Sequence, residues 1–376
     1  MIYFDNAATT GYKPPEVIQA VNYALTHLSA NPGRSAHRQA IEGSLKMAET
    51  REKIAKLVGC PNPDNVVFSL NCTTALNQAI LGSVTCGCHI ISSLSEHNSV
   101  LRPLFELKRR GIAEVSFLVP DKENKISPLD VQREIKRNTR MVVLGHISNV
   151  TGAEQEIEEI GKITKNNKLI FIVDGAQSVG YADVDMQKQN IDLLAFPAHK
   201  GLHGIMGLGC LCFKDEAKPT PILYGGTGTD SHLLTQPTTS PECFESGTQN
   251  LPAILGLNAA IDWYEKTKTS NAEKRKELAK MLYDGLHTLK KVTVLSCPNF
   301  KSGIVSFKIE GIDSMTAADI LAEKYEIAVR SGLHCAPLIH KHLGTDKEGL
   351  VRASVSAENN RNEVITFLRA IKEISE

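Results

Sequence analysis

Neither sign of charge is in excess in this chain: Lys and Arg number 42, Asp and Glu number 42. No net field therefore draws it to nucleic acid or to an anionic membrane surface. No apolar run approaches the roughly 18 residues of a membrane span, and the opening MIYFDNAATT carries neither the basic nor the apolar part of a secretory signal. These absences predict a cytoplasmic protein whose partners are small molecules or other proteins. A phosphate loop of the Gly-x-x-x-x-Gly-Lys-Ser/Thr form is missing, and Gly225-Gly226-Thr227-Gly228 has no strand-to-helix setting for a dinucleotide fingerprint, which disfavours nucleotide binding. Regular cysteine spacing is missing as well. Nine cysteines, an odd number, are scattered along the chain, the pattern of free thiols and not of a disulfide framework. There is no internal repeat and no low-complexity segment.

What remains is an ordinary globular composition, 42% hydrophobic over 376 residues, enough for one large core and a second, smaller unit. Short apolar runs at His89 to Ser92, Val115 to Val119, Met141 to Ile147, Leu169 to Val173, Ile191 to Phe196 and Gly209 to Phe213 alternate with helical patterns. Ile157, Ile160 and Ile163, for example, share one helical face. The alternation predicts repeated βαβ units: an α/β fold with a mostly parallel sheet covered by helices on both faces. After Gly247 the texture changes. Pro252 opens a helical pattern through Ile254, Leu257, Ile261 and Tyr264, a charged helical stretch runs from Lys266 to about Lys291, and two strand-like runs with further helices follow. This predicts a large unit over 15–255 and a smaller α/β unit made of 1–14 and 256–376, including the linking helix. Tyr224 to Ser246 is the long irregular stretch, and loops of that length are often functional.

Open α/β sheets collect ligands at the carboxyl ends of their strands, and several ends here are rich in reactive side chains. Asp174-Gly175-Ala176-Gln177 follows one run, Ser148-Asn149 another, Ser95-Glu96-His97 a third and His199-Lys200-Gly201 a fourth. Singly, Asp174 reads as a helix cap, His97 as a loop histidine and Lys200 as a solvated amine. Together they offer a lysine able to form a Schiff base with an aldehyde cofactor, and a carboxylate able to pair with that cofactor's ring nitrogen. Asn71-Cys72-Thr73-Thr74 opens a helix and could bind a phosphate, though an ordinary threonine cap explains it equally well. Cys86, Cys88 and His89 are ligand types for zinc, but no second cluster completes a site, so no metal is expected. Cys210 and Cys212 alternate along a strand and read as small core residues.

Asp174-Gly175-Ala176-Gln177 with His199-Lys200-Gly201 resembles the class V aminotransferase superfamily, whose members are fold type I enzymes dependent on pyridoxal 5'-phosphate. Tyr3 to Thr10 is similar to that family's opening, Asn31 to His37 to its early active-site segment, and Phe244-Glu245-Ser246-Gly247-Thr248 to its cross-subunit phosphate segment. Within the superfamily, Arg330-Ser331-Gly332-Leu333-His334-Cys335-Ala336 resembles the cysteine-bearing loop of cysteine desulfurases, notably the Suf type. The resemblance implies Lys200 as the cofactor-bearing lysine, Asp174 on the pyridine nitrogen and His97 stacked on the ring and able to shuttle protons. It implies that Gln177 and Asn149 meet the phenolic oxygen or the substrate, that Thr73, Thr74 and His199 hold the phosphate, and that Thr248 reaches the phosphate of a neighbouring subunit in a homodimer. Arg352 would clamp the substrate carboxylate, with Asn6 and Ala7 beside the substrate. Two departures stand out: Cys72 occupies a place where the family often has glycine, and Leu338 to Glu348 is longer than in the Suf type.

On this resemblance the expected reaction converts L-cysteine to L-alanine and leaves a persulfide on Cys335, from which sulfur passes to an acceptor protein or thiol. A selenocysteine lyase or another class V aminotransferase or β-lyase, with Cys335 incidental, is the competing enzyme reading. A non-catalytic scaffold and a metal module around Cys86 and His89 are the competing non-enzyme readings.

Overall fold

A computed structural model describes residues 1–33 and 35–376; Arg34, inside the Asn31 to His37 segment, lies outside the described residues. In chain order the elements are β1 (Ile2–Tyr3), α1 (Pro15–His27), α2 (Arg38–Val58), β2 (Val66–Ser69), α3 (Cys72–Ser83), β3 (Cys88–Ser93), α4 (Asn98–Arg109), β4 (Ala113–Leu118), α5 (Pro128–Glu134), β5 (Thr139–Gly145) and α6 (Ile157–Asn166). They continue with β6 (Ile170–Asp174), β7 (Leu193–Pro197), β8 (Gly209–Phe213), α7 (Leu251–His287), β9 (Val292–Val294), β10 (Ile304–Ile309), α8 (Ser314–Tyr325), β11 (Ile327–Ala328), α9 (Pro337–His342), β12 (Val351–Ser354) and α10 (Arg361–Ser375).

Seven strands form the main sheet in the order β2-β8-β7-β6-β5-β3-β4. The pairs from β7 through β4 are parallel, whereas β8 runs antiparallel to both β7 and β2. The reversal has a simple cause. A parallel crossover needs a dozen or more residues and usually a helix, and the β7–β8 connection has no helix, being taken up by the His199-Lys200-Gly201 turn. Alternate residues of the central strands enter two cores. Val142, Leu144, Phe171, Val173 and Phe196 face one; Met141, Val143, Ile172, Leu193 and Ala195 face the other. Burial on both faces explains the continuous apolar runs of the sequence. At roughly 1.5–3 kcal/mol for each large side chain removed from water, fully buried residues such as Phe171 and Phe196 make this sheet a rigid platform.

The helical pattern after Gly247 and the charged stretch beyond it form one continuous helix, α7, of 37 residues. Asn250 caps its start through the Ala253 amide, and a proline in the first turn has no N–H to satisfy. At about 1.5 Å per residue it is roughly 55 Å long. Its first half packs into the main core at Ile254, Leu257 and Ile261, and its second half into a separate core at Leu278, Leu282 and Leu286, together with Phe4, Val305, Phe307, Val351 and Phe367. That second core lies on a three-stranded antiparallel sheet, β12-β10-β9. The chain's first strand, β1, pairs in parallel with β11. Among the described residues no helix is long and apolar enough to cross a membrane.

Candidate active site

Strands β3, β5, β6 and β7 point the same way, so their carboxyl ends share one rim and deliver Glu96 and His97, Ser148 and Asn149, Asp174 and Gln177, and His199 and Lys200 to it. A cavity of about 220 Å³ opens there, lined among others by Thr73, His97, Asn149, Asp174, Gln177 and Lys200. Close backbone contact sets the Asp174 and Lys200 segments side by side. Gly180, with φ of +87°, packs against Gly201; a Cβ on Gly201 would lie 2.3 Å from the Val179 carbonyl oxygen.

Asp174 is buried. Its Oδ1 accepts from the Ala176 amide at 2.9 Å and lies 3.8 Å from the Cys72 thiol, while Oδ2 has no hydrogen bond among the described residues. Burial raises its carboxyl above the usual carboxylate range, with the Lys200 charge pulling the other way. Desolvation lowers the Lys200 amine, opposed by Cys72 and Asp174. No hydrogen bond engages that amine among the described residues. Glu96 lies beside them, buried, accepting from the Ser93 hydroxyl at 2.5 Å and the Gly145 amide at 2.8 Å. Desolvation and the Asp174 charge push it up to about 8, so it is a neutral acid at pH 7. In the sequence Glu96 carries no assigned role, although an acid between Ser95 and His97 at a strand end is a visible signal.

His97 caps α4, its Nδ1 meeting the Ser99 amide at 3.1 Å and hydroxyl at 2.9 Å. That leaves Nε2 and the ring face for the cavity. Desolvation first, then the charges of Lys200, Arg330, Arg352 and Arg102, hold its imidazole down at about 4, hence neutral at pH 7. At the start of α3, Asn71 takes the Thr74 amide at 2.9 Å through its side chain and the Ala75 amide at 3.1 Å through its carbonyl. The amides of Cys72 and Thr73 have no acceptor among the described residues, at a helix N-terminus. The Cys72 side chain turns toward Asp174, and burial raises its thiol well above the usual range.

The other expected residues are distributed unevenly. Thr74 does not line the cavity, and its hydroxyl bonds Asn71. Thr248 is exposed, just beyond a segment pinned by Glu245. That carboxylate pairs with Arg51 at 2.8 and 2.6 Å and accepts the Phe68 amide at 2.7 Å, all buried. Arg51 was missed, yet it falls in helical register with the apolar Met47, Ile54 and Val58, an odd place for a cation. Ala7 donates to the Ser354 hydroxyl and accepts from Gln177 Nε2 at 2.9 Å, and Asn6 is buried against Ser354 and Asn359. Arg352, 1% exposed, donates to the Asn149 carbonyl at 2.9 Å and Asp5 at 3.2 Å; its Nε is buried with no partner among the described residues. His89, a zinc candidate from the sequence, spends both ring nitrogens on Thr139 and Ser116.

Cys335 is exposed on a loop fastened to this site. The Asn98 amide donates to its carbonyl at 2.6 Å, and Asn149 Nδ2 donates to the His334 carbonyl at 2.8 Å. Its thiol lies 3.5 Å from Arg330 Nη2 and borders a groove of about 440 Å³ that shares His97, Thr73 and Ser99 with the Lys200 cavity. The stretch from Leu338 to Glu348 includes most of α9.

The cavity's chemistry fits a ring bearing a phosphate and a basic nitrogen. Three buried polar atoms on its wall, Ser95 Oγ, Gln177 Oε1 and His199 Nδ1, have no partner among the described residues. Beside them are an open carboxylate oxygen, a free amine and two open helix amides, so donors, an acceptor and a nucleophile converge on one space.

A search of curated proteins finds a probable cysteine desulfurase of Pyrococcus abyssi, 35% identical over 100% of this chain and 94% of that protein. Another probable cysteine desulfurase, from Methanothermobacter thermautotrophicus, is 31% identical over 100% of this chain and 94% of its own. Among solved structures, the apo cysteine desulfurase of Thermococcus onnurineus NA1 matches with a TM-score of 0.92 at 34% identity, covering 100% of this chain and 94% of that one. The S-sulfonic acid form of the Escherichia coli cysteine desulfurase CsdA matches at 0.89 and 27% identity, covering 99% and 94%. Residues 2–367 match the aminotransferase class-V family, and the chain, with its fold type I architecture, belongs to that family.

Proposed function

We propose that the protein is a pyridoxal-phosphate-dependent cysteine desulfurase, converting L-cysteine to L-alanine with Cys335 taking the sulfur. One observation carries this reading above the other class V chemistries: the loop bearing the exposed thiol is tied at its His334 carbonyl to the side chain of Asn149, on the wall of the Lys200 cavity, and at its Cys335 carbonyl to the amide of Asn98, next to His97. An incidental cysteine has no need of that attachment.

In this reading Lys200 would hold the cofactor, Asp174 would pair with its ring nitrogen, His97 would stack on the ring, Gln177 and Asn149 would meet its phenolic oxygen or the substrate, and Thr73, the α3 amides and His199 would take the phosphate. Bound pyridoxal phosphate supplies an electron sink for the α-carbon of the substrate. The chain's own groups do the rest. Desolvation favours a neutral Lys200 amine, the form that removes the α-proton. Arg352, with its unpartnered Nε, holds the substrate carboxylate, with Asn6 and Ala7 beside it. The Cys335 thiolate attacks the substrate sulfur; the S–S bond forms as the Cβ–S bond breaks, the carbon skeleton takes up protons as alanine, and a persulfide remains on Cys335. An acceptor thiol, on a protein or a small molecule, then takes the outer sulfur by exchange. Thr248 would complete phosphate binding across a homodimer, for which the Glu245 anchor and the exposed Thr248 are suited, whereas Thr74, its hydroxyl held by Asn71, serves the α3 cap.

The test is alanine and sulfide released from L-cysteine, with and without a thiol reductant, by wild type and Cys335→Ala. Loss of both products with the cofactor's visible absorbance retained supports the assignment; wild-type turnover in the variant overturns it. Selenocysteine and a keto-acid acceptor assayed alongside separate the lyase and transaminase readings.

A further inference from the structure

Cys335 sits in a backbone that resists formation. Gly332, His334 and Cys335 have φ of +91°, +50° and +57°, so two adjacent residues bearing a Cβ occupy the left-handed region that side chains disfavour. Such geometry persists only where surrounding contacts over-determine it. Part of the hold is backbone: Gly332 is bonded to Ser314 and Leu350, the Leu333 carbonyl to the Ala336 amide, and the His334 and Cys335 carbonyls to Asn149 and Asn98. The interior of the turn is filled by two imidazoles. His334 and His340, 3% and 0% exposed, stack at 5.4 Å with a 22° tilt. His334 Nε2 is 3.3 Å from the Arg330 carbonyl, His334 Nδ1 is 3.3 Å from His340 Nε2, and His340 Nδ1 is 2.9 Å from the Thr345 hydroxyl.

With both rings neutral, this series has one satisfiable proton arrangement. The Arg330 carbonyl only accepts, so His334 Nε2 carries a proton. In a neutral ring His334 Nδ1 then accepts, so His340 Nε2 carries a proton too. His340 Nδ1 accepts in turn, and the Thr345 hydroxyl donates to it in preference to the His340 carbonyl at 3.4 Å. Reversing the direction sets two lone pairs against each other at Arg330; a proton added to His334 Nδ1 meets the His340 Nε2–H head to head, whereas a proton added to His340 Nδ1 turns the Thr345 hydroxyl away to the His340 carbonyl. The surroundings defend the neutral state. His334 faces Arg352 and Arg330 as well as His340, all of which disfavour a second proton on it, whereas Asp346, the charged group acting on His340, pulls the other way. Desolvation above all holds the two imidazoles at about 2 and about 4.

We propose that His334 and His340 are positioning residues for the nucleophile: the one-way chain from Thr345 through His340 and His334 to the Arg330 carbonyl locks the left-handed turn and aims the Cys335 thiol at the groove beside His97. The proposal rests on Cys335 being the nucleophile, but its structural half stands apart from that reading. His340 touches neither the cavity nor the groove and acts only through His334.

The experiment uses the holoenzyme. Nitrogen-15 histidine spectra of wild type are expected to show His334 and His340 as neutral Nε2–H tautomers throughout the near-neutral pH range; an Nδ1–H tautomer or a titration of either ring there overturns the proposal. His340→Phe, which keeps the bulk and removes the donor, is expected to lower kcat for alanine formation by about 10- to 100-fold with cofactor absorbance unchanged. It is also expected to change the rate of Cys335 alkylation by iodoacetamide, measured by mass spectrometry against the exposed Cys86 as internal reference. His340→Gln, which retains one acceptor and one donor, is expected to restore most of both. Wild-type kcat and alkylation in His340→Phe, or a Gln variant no better than Phe, overturns the proposal. If Cys335→Ala still turns over, the nucleophile reading fails, while the tautomer and alkylation results continue to judge the turn.

Discussion

Lys200 and Cys335 present reactive groups from backbones of opposite character. Lys200 follows the buried end of β7, and its amine faces a cavity whose wall is an acid, an amide and an imidazole fixed by strand ends. Cys335 stands exposed at a left-handed turn, leading from the short strand β11 into the six-residue helix α9. The first group is placed by a sheet whose large apolar core would exist without it. The second is placed by polar contacts at particular atoms, each of which can be lost singly. On the roles proposed above, the pair teaches that a proton-transfer group can be left to general burial, whereas a thiol that is to meet substrate and then a second acceptor needs an accessible mount and specific polar anchors.

The sharpest break in that contrast comes at the lysine. Lys200→Ala is expected to reduce alanine formation by about 10⁴-fold, as loss of a proton-transferring group does, and to remove the bound-cofactor absorbance; a spectrum unchanged from wild type would disprove its role. Next comes the buried pair that carries the Phe244 to Thr248 segment. Arg51→Leu strands the Glu245 carboxylate, 8% exposed, and is expected to cost about 3–5 kcal/mol in urea unfolding, with a cost below 1 kcal/mol counting against the anchor.

A third measurement separates cavity from loop by pH. Glu96 in the folded chain is raised to about 8 from the 4.5 of an unperturbed glutamate. Between those values the native state holds a proton that the unfolded state has released, so this contribution to stability is fully present below pH 4.5 and is lost as pH rises through 8. Unfolding free energies at pH 5.5 and 8.5 are expected to fall by about 2–4 kcal/mol from this group, and Glu96→Gln is expected to flatten the slope. The smallest effect is Gly201→Ala, whose Cβ would meet the Val179 carbonyl at 2.3 Å. A cost of about 1–3 kcal/mol is expected, accompanied by reduced turnover because the Lys200 segment must shift; a thermal melt and the alanine assay read both.

Much of the architecture was legible because it is written in local periodicity. Continuous apolar runs bounded by helical patterns imply strands buried on both faces, and β3 to β8 are found within two or three residues of those runs. The antiparallel turn of β8 was not legible from its apolar pattern, since a buried strand reads alike in either direction. The rim residues were legible as polar tracts after strands. Their convergence into one cavity followed from parallel topology. Glu96 was in view but unassigned, because its neutral state comes from desolvation by elements distant in sequence. Arg51 and Glu245 lie nearly two hundred positions apart, and no spacing rule joins them.

By itself, then, the amino-acid order determined the alternation of strands and helices, the absence of a net charge, and the candidate side chains at each strand end, all of which depend on neighbours a few residues away. Only the tertiary structure decided which of those side chains share a cavity, which lose water and shift their protonation, and how the Cys335 turn is locked through His334 and His340. Those outcomes depend on burial and on hydrogen-bond direction, which exist only once segments far apart in the chain have been brought into contact.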